Sequence, residues 1–359
     1  MGFMSDSDLF KPIKLGDLEL PNRIVMAPLT RSRAGDERIP NVLMALYYSQ
    51  RAAAGLILTE ATSVVPEGVG YAGTPGAWSG EHTQAWRKIT DAVHAAGGRI
   101  FLQLWHVGRI SDPVFLDGKP PVAPSAVAAK GHVSLLRPER PFVTPRALAR
   151  DEIQTLVGEY AAAAKRAKDA GFDGVEVHGA NGYLPDQFLQ SGSNLRTDEY
   201  GGSVENRARF LLQIVDAVTP IWGAGRVGVH LSPRSDSNGI SDSNPAETFG
   251  YAATELGKRK IAFLFLREAQ GENYQTPRLR QLFGGPLIAN QGLTFEKASE
   301  LIRRGDADLA AFGQLFIANP DLVERFKGGK PLNRPDPTTF YGGGPKGYVD
   351  YPRYEEISE

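Results

Sequence analysis

Eight short apolar runs, each bounded by glycine, proline or polar residues, recur along the chain, and stretches with apolar residues at helical spacing fall between them. The pattern predicts strands at Arg23–Leu29, Leu56–Thr62, Arg99–Trp105, Gly174–His178, Arg226–Leu231, Ile261–Leu266, Pro286–Ala289 and Leu309–Phe312. It predicts helices at Asn41–Ala54, His82–Ala96, Asp151–Ala170, Val204–Ile221, Pro245–Gly257, Thr294–Arg304 and Pro320–Phe326, with the thinnest periodicity at Thr276–Phe283. Gly55, Gly97, Gly171 and Gly305 stand where helices end and read as left-handed C-terminal residues.

Eight strand-then-helix units favour a closed (β/α)8 barrel over an open doubly wound sheet, because closure leaves no edge strand to protect. Such a barrel uses about 250 residues, so a chain of 359 carries additions. Two are visible: Leu9–Pro21 reads as a β-hairpin turning at Gly16–Asp17, and a proline-rich excursion runs from Val107 to Ala147 after the third strand. Loops at that end of barrel strands surround the active site, so residues 107–147 read as a lid within one domain spanning 1–359.

Composition narrows the function. With 42% hydrophobic and 23% charged residues the chain is an ordinary globular one, and 40 basic against 41 acidic residues leave no footprint for nucleic acid or an anionic membrane. The absence of cysteine excludes disulfides, thiolate nucleophiles, Cys-ligated zinc and iron–sulfur clusters. No run is long and apolar enough for a membrane span, and Asp6, Asp8, Lys11 and Lys14 interrupt any signal-peptide core, so a cytoplasmic protein is expected. Gly68–Gly73 and Gly223–Gly228 match G-x-G-x-x-G, but neither lies between a strand and the helix directly after it, as a dinucleotide loop requires. The segment Ser235–Asn244 fails as a calcium loop, since Arg234 and Pro245 would stand at ligand positions.

Strand parity then becomes evidence, because lumen-facing and helix-facing residues alternate and catalytic groups collect at the C-terminal ends of barrel strands. Gln103 and Trp105 share a face, as do Glu176 and His178, while His230 is set apart from Val229 and Leu231. In His178-Gly179-Ala180-Asn181-Gly182-Tyr183 the strand stops at an imidazole and turns through small residues. His178 and Asn181 can there converge as donors on a carbonyl or nitro oxygen, with the Tyr183 hydroxyl placed to deliver a proton. The same residues also suit an ordinary turn with a packed tyrosine. Asn290-Gln291-Gly292 and Gly313-Gln314 follow the last two strands, where this fold commonly binds phosphate, and they suit plain turns as well.

Taken in order, several segments resemble the old yellow enzyme family of flavoproteins, in its bacterial ene-reductase and xenobiotic or nitroester reductase branch. They include Ala27-Pro28-Leu29-Thr30-Arg31, Tyr47 to Ala52, Gly70-Tyr71-Ala72-Gly73, Gln103-Leu104-Trp105-His106 and His178 to Tyr183. Arg196 to Ser203, Ile317 to Leu322 and Gly347 to Pro352 extend the likeness to nearly the whole chain. The resemblance implies a (β/α)8 barrel that binds one FMN tightly and non-covalently and takes electrons from NADPH, with NADH as the alternative. It implies flavin contacts from Pro28, Thr30, Ala61 and Gln103, and a cofactor site completed by His230, Asn290, Gln291, Gly292, Gly313 and Gln314. His178 and Asn181 would hold the substrate's activating oxygen, Tyr183 would be the proton donor, and Tyr71, Trp105 and Tyr351 would line the substrate cavity.

The implied reaction is a ping-pong reduction of activated C=C bonds in unsaturated carbonyl or nitro compounds, with nitroesters as further substrates. Hydride passes from flavin N5 to the β-carbon and Tyr183 protonates the α-carbon. Two positions depart from the commonest pattern: His230 and Gln314 stand where many relatives carry arginine, toward the flavin N1 edge and the phosphate respectively. His230 admits two readings, an imidazolium coupled to flavin reduction or a neutral imidazole donating one hydrogen bond. There are two rivals: a flavin-free lyase or isomerase acting on a phosphorylated metabolite with Glu60 or Glu176 as base, and a barrel that has lost catalysis and only binds a ligand. The sequence leaves monomer against dimer open.

Overall fold

The computed structural model describes residues 7–354, so Asp6 lies outside the described residues. Eight parallel strands close on themselves: Ile24–Met26, Leu56–Leu58, Ile100–Trp105, Gly174–His178, Val227–Leu231, Phe263–Arg267, Leu287–Asn290 and Leu309–Phe312. The last pairs with the first, Ala311 opposite Val25, which makes the sheet a (β/α)8 barrel. The second strand is shorter than its apolar run. The Thr59 hydroxyl takes the Gln103 N–H, the chain breaks from the ladder through Glu60 and Ala61, and Thr62–Ser63 rejoins opposite Leu104 and Trp105.

Alternation sorts the strands into two cores. Val25, Leu56, Leu58, Phe101, Phe263, Phe265, Ile288, Leu309 and Ala311 face the lumen, while Leu102, Val175, Val177, Val229, Leu264 and Leu287 pack outward against the helices. Each fully buried Leu, Val or Phe contributes about 1.5–3 kcal/mol, so parity errors are heavily penalised. Large and small residues alternate within a layer: a Cβ on Gly174 would come within 2.3 Å of the Phe101 ring, and one on Gly228 within 2.1 Å of the Phe263 ring. Space therefore explains Gly228, the last glycine of one rejected dinucleotide motif.

The hairpin Ile13–Leu15/Leu18–Leu20 forms as expected and plugs the lower end, burying Leu15 and Leu20 in the lumen core. Thr276–Phe283 is helical with the bounds its thin pattern suggested, ending at Gly284 with φ +68. Elsewhere the helices differ in detail. The first spans only Val42–Ser49, because residues 50–54 tighten into turns around the buried Arg51. Gly97, Gly171 and Gly305 have the expected positive φ, but Gly55 does not; it is needed because a Cβ there would lie 2.2 Å from the Asn22 carbonyl. The stretch after the eighth strand divides at Asn319 into Gln314–Ala318 and Leu322–Lys327, and a short helix, Leu184–Leu189, follows Tyr183 unanticipated.

The excursion after the third strand is pinned across the mouth. Gln187 donates to the Val107 carbonyl and accepts from Arg109 N, and the Arg109 guanidinium reaches Val127 O and, on the loop after strand five, Gly239 O. Val122–Ala123 and Arg146–Ala147 pair at its base.

Candidate active site

The lumen changes character toward the C-terminal ends of the strands. Above the apolar layers sit Gln103 and Glu176, opposite each other on adjacent strands, then His178 opposite His230, with Trp105 and Arg267 at the ends of their strands. Gln103 Nε2 lies 2.6 Å from Glu176 Oε2 and 3.3 Å from His230 Nδ1. Burial raises the Glu176 carboxyl to about 8, so it is neutral at physiological pH. Because Gln103 donates to His230 Nδ1, the imidazole proton resides on Nε2. That Nε2–H is buried without a partner among the described residues, and His230 lines a cavity. Desolvation, the neighbouring His178 and the Arg267 charge all hold His230 well below the usual histidine range. Of the two readings of His230, the neutral imidazole is the one this geometry favours.

The His178 to Tyr183 turn supplies three groups. Ala180 N donates to His178 Nδ1 at 3.3 Å, which again leaves the proton on Nε2, and burial with the nearby Arg267 keeps the ring neutral, its pKa pushed down to about 3. Asn181 sits in the left-handed region at φ +58, its N–H bonded to Ser232 Oγ and its carbonyl to Asn238 Nδ2. The Arg267 guanidinium donates to Asn181 Oδ1 at 2.7 Å, so Nδ2 is the end the amide leaves free. Tyr183 N-caps the short helix, and its hydroxyl lies 3.0 Å from that of Tyr71. Tyr71 stacks on Trp105 with centroids 5.8 Å apart and rings 8° from parallel, and Tyr183 stands edge-on to both Trp105 and His178. Ala61 belongs to the same aromatic cluster.

Beside this group opens a cavity of about 1040 Å³ lined by Pro28, Asn181, His230, Asn290, Gln291, Gly292, Gly313 and Gln314. Eight residues proposed from sequence thus converge on one space. The backbone N–H groups of Gln291, Gly292 and Gly313 donate to no described residue. Arg267, Lys330 and Arg325, the last paired with Asp321, bring positive charge to the walls, opposed by Glu296. Unused N–H donors from two adjacent strand ends, an orphan imidazole N–H and ample volume fit an acceptor-rich cofactor carrying a phosphate.

Other placements are less direct. Thr30 is half-buried just past the lining residues Pro28 and Leu29, and its hydroxyl makes no hydrogen bond among the described residues. Tyr351, like Tyr71 and Trp105, is outside the lining of this cavity; its hydroxyl accepts from Asp336 N at 2.8 Å, and Tyr341 is the tyrosine of that C-terminal segment on the cavity wall. Glu60 accepts from Arg31 N, Ser32 N and the Tyr48 hydroxyl, and Glu176 lies beneath Gln103, so neither carboxyl is placed as the base a lyase would need. Sequence reasoning missed Arg267 because the sixth strand was expected to end one residue earlier. Counting parity on from Phe263 and Phe265 would have shown a lone charge at the lumen mouth.

Residues 8–333 match the model of the NADH:flavin oxidoreductase / NADH oxidase family. The chain is 46% identical to a probable flavin mononucleotide-dependent alkene reductase of Leishmania infantum, over 96% of this chain and 97% of that one. Among solved structures it resembles morphinone reductase in complex with tetrahydroNAD (TM-score 0.93, 49% identity, 98% and 99% of the two chains). It also resembles the old yellow enzyme homologue of Zymomonas mobilis (TM-score 0.93, 46% identity, 96% and 99%). A barrel mouth set with neutral donors, a cavity suited to a phosphate-bearing cofactor, and near full-length identity at this level make the chain a member of the old yellow enzyme family of FMN-dependent oxidoreductases.

Proposed function

We propose that the protein is an ene-reductase for small α,β-unsaturated carbonyl or nitro compounds, with nitroesters as further substrates. The observation that carries this is the pair of free donors, His178 Nε2–H and Asn181 Nδ2, beside a tyrosine hydroxyl at the mouth of the cofactor-sized cavity. Pro28, Ala61, Gln103, His230 and the Asn290–Gly292 and Gly313–Gln314 turns would hold FMN, with Thr30 alongside. When bound, FMN supplies the hydride chemistry, two electrons received from a nicotinamide and given to the activated alkene.

The protein's part is electrostatic and positional. His178 and Asn181 grip the activating oxygen and stabilise the negative charge that builds there when the β-carbon takes hydride. Both are neutral, so they polarise the oxygen without giving up a proton. Tyr183 delivers a proton to the α-carbon, completing the addition of H⁻ and H⁺ across the double bond, and the Tyr71 hydroxyl stands within hydrogen-bond distance to restore it. The stacked Tyr71 and Trp105 form a flat wall for a conjugated substrate. Residues 107–147, anchored through Arg109 and Gln187, are read as a cap on a single barrel domain that limits water at the site. NADPH is the proposed electron donor with NADH as the alternative; a tetrahydroNAD complex of a structural relative supports a nicotinamide ligand.

The test separates the two half-reactions anaerobically in stopped flow, with NADPH or NADH and then cyclohexenone. Removing one oxyanion donor costs ~10²–10³ in rate, so Asn181→Ala slows the enone half-reaction by that factor while the coenzyme half-reaction shows that the variant still holds FMN. An unchanged enone rate removes the oxygen grip from the mechanism.

A further inference from the structure

Arg267 is the unassigned charge of the mouth. It ends the sixth strand on the lumen parity of Phe263 and Phe265, half-buried, and no carboxylate lies within ion-pair distance of it among the described residues. The acid next to it in sequence, Glu268, points away and pairs with Arg234 at 2.5 Å. Arg267 Nη1 instead donates to Asn181 Oδ1 at 2.7 Å and to Ser237 Oγ at 3.4 Å, and Nε donates to Gln291 Oε1 at 2.9 Å. A half-buried guanidinium without a counter-ion is costly to retain, and this one is spent on an amide.

An arginine has no acceptor atom, so only the oxygen end of Asn181 can face it. We propose that Arg267 is a positioning residue for the oxygen grip: it locks the Asn181 amide with Nδ2 toward the substrate, and its uncompensated charge makes the grip selective for an oxygen that becomes anionic. This rests on the proposed role of His178 and Asn181. The groups facing that point are His178 and Tyr183 from the fourth strand and its loop, His230 from the fifth, Tyr71 from the loop after the second and Tyr341 from the C-terminal segment, with Glu176 deeper. Arg267 is the cation among them. The two imidazoles are held neutral partly by its field, which also lowers the Tyr183 hydroxyl against the opposing effect of burial.

The probe is p-nitrophenol bound to the FMN-loaded, oxidised enzyme, whose ionisation is read by absorbance across pH. A unit charge about 7 Å away at an effective dielectric of 20–40 moves an ionisation by on the order of one pH unit. The bound phenol should therefore ionise about one unit higher in Arg267→Met than in wild type, and Arg267→Lys, which keeps a charged donor, should recover most of that shift. If the Met variant does not fold, Arg267→Gln poses the same neutral test. In turnover with cyclohexenone the neutral variant should lose kcat with little change in KM, since the anionic oxygen forms only as the reaction proceeds. A phenol ionisation unchanged in the neutral variant, while Asn181→Ala raises it, overturns the role of Arg267 and leaves the grip standing. No change in either variant overturns both.

Discussion

Glu176→Gln offers a sharp test of the buried polar layer beneath the cofactor site. Glu176 is enclosed between Gln103 and the lumen core, with Oε1 unpartnered, and burial raises its carboxyl from 4.5 to about 8. With a folded pKa above the unfolded one, the stability contributed by the protonated group is complete below pH 4.5 and is lost as pH rises to about 8, because only the unfolded chain ionises over that window. At pH 7 the loss is about 3 kcal/mol, and above pH 8 it levels near 5 kcal/mol. Glutamine keeps an acceptor for Gln103 Nε2 and cannot ionise. With an unfolding entropy of ~2.1 cal/mol/K per residue, the variant should melt about 4 °C above wild type at pH 7, with no gap near pH 4.5. Glu60 and Asp186 are each raised by burial to about 7 and add their own pH dependence, so the measured quantity is the difference between variant and wild type. Calorimetric or fluorescence melts of the FMN-loaded proteins from pH 4.5 to 9 supply it. A gap that does not change with pH would show that Glu176 is ionised in the folded protein, and the neutral network built on Gln103 would be wrong.

Tyr183→Phe should lose ~10²–10⁴ in alkene reduction, the usual size for a positioned general acid, while keeping much of any nitroester activity; equal losses on both substrates would make the tyrosine a pocket wall. Gln314 is exposed at the cavity opening and offers hydrogen bonds without charge. Gln314→Arg should tighten FMN by up to roughly 1.5–3 kcal/mol in a fluorescence titration, and an unchanged affinity would mean that the phosphate is neutralised elsewhere.

Periodicity alone determined the barrel, its bottom hairpin and the lumen parity of Gln103, Trp105, Glu176, His178 and His230, because burial on alternate faces is written directly into which positions are apolar. Asn181 was legible as a donor because it follows the strand-ending His178 through small residues, while its left-handed backbone shows only in the fold. Tertiary structure decided what depends on neighbours remote in the chain. The second strand breaks at Thr59 because a side-chain oxygen replaces a ladder carbonyl, which no apolar run announces. Tyr341 lines the cavity, while Tyr351 turns to Asp336, a choice made by the path of the C-terminal segment over the first strand's loop. The protonated nitrogens of His178 and His230 follow from Ala180 N and Gln103 Nε2. The orientation of the Asn181 amide follows from a guanidinium two strands away, and only packing in three dimensions brings the two within 2.7 Å.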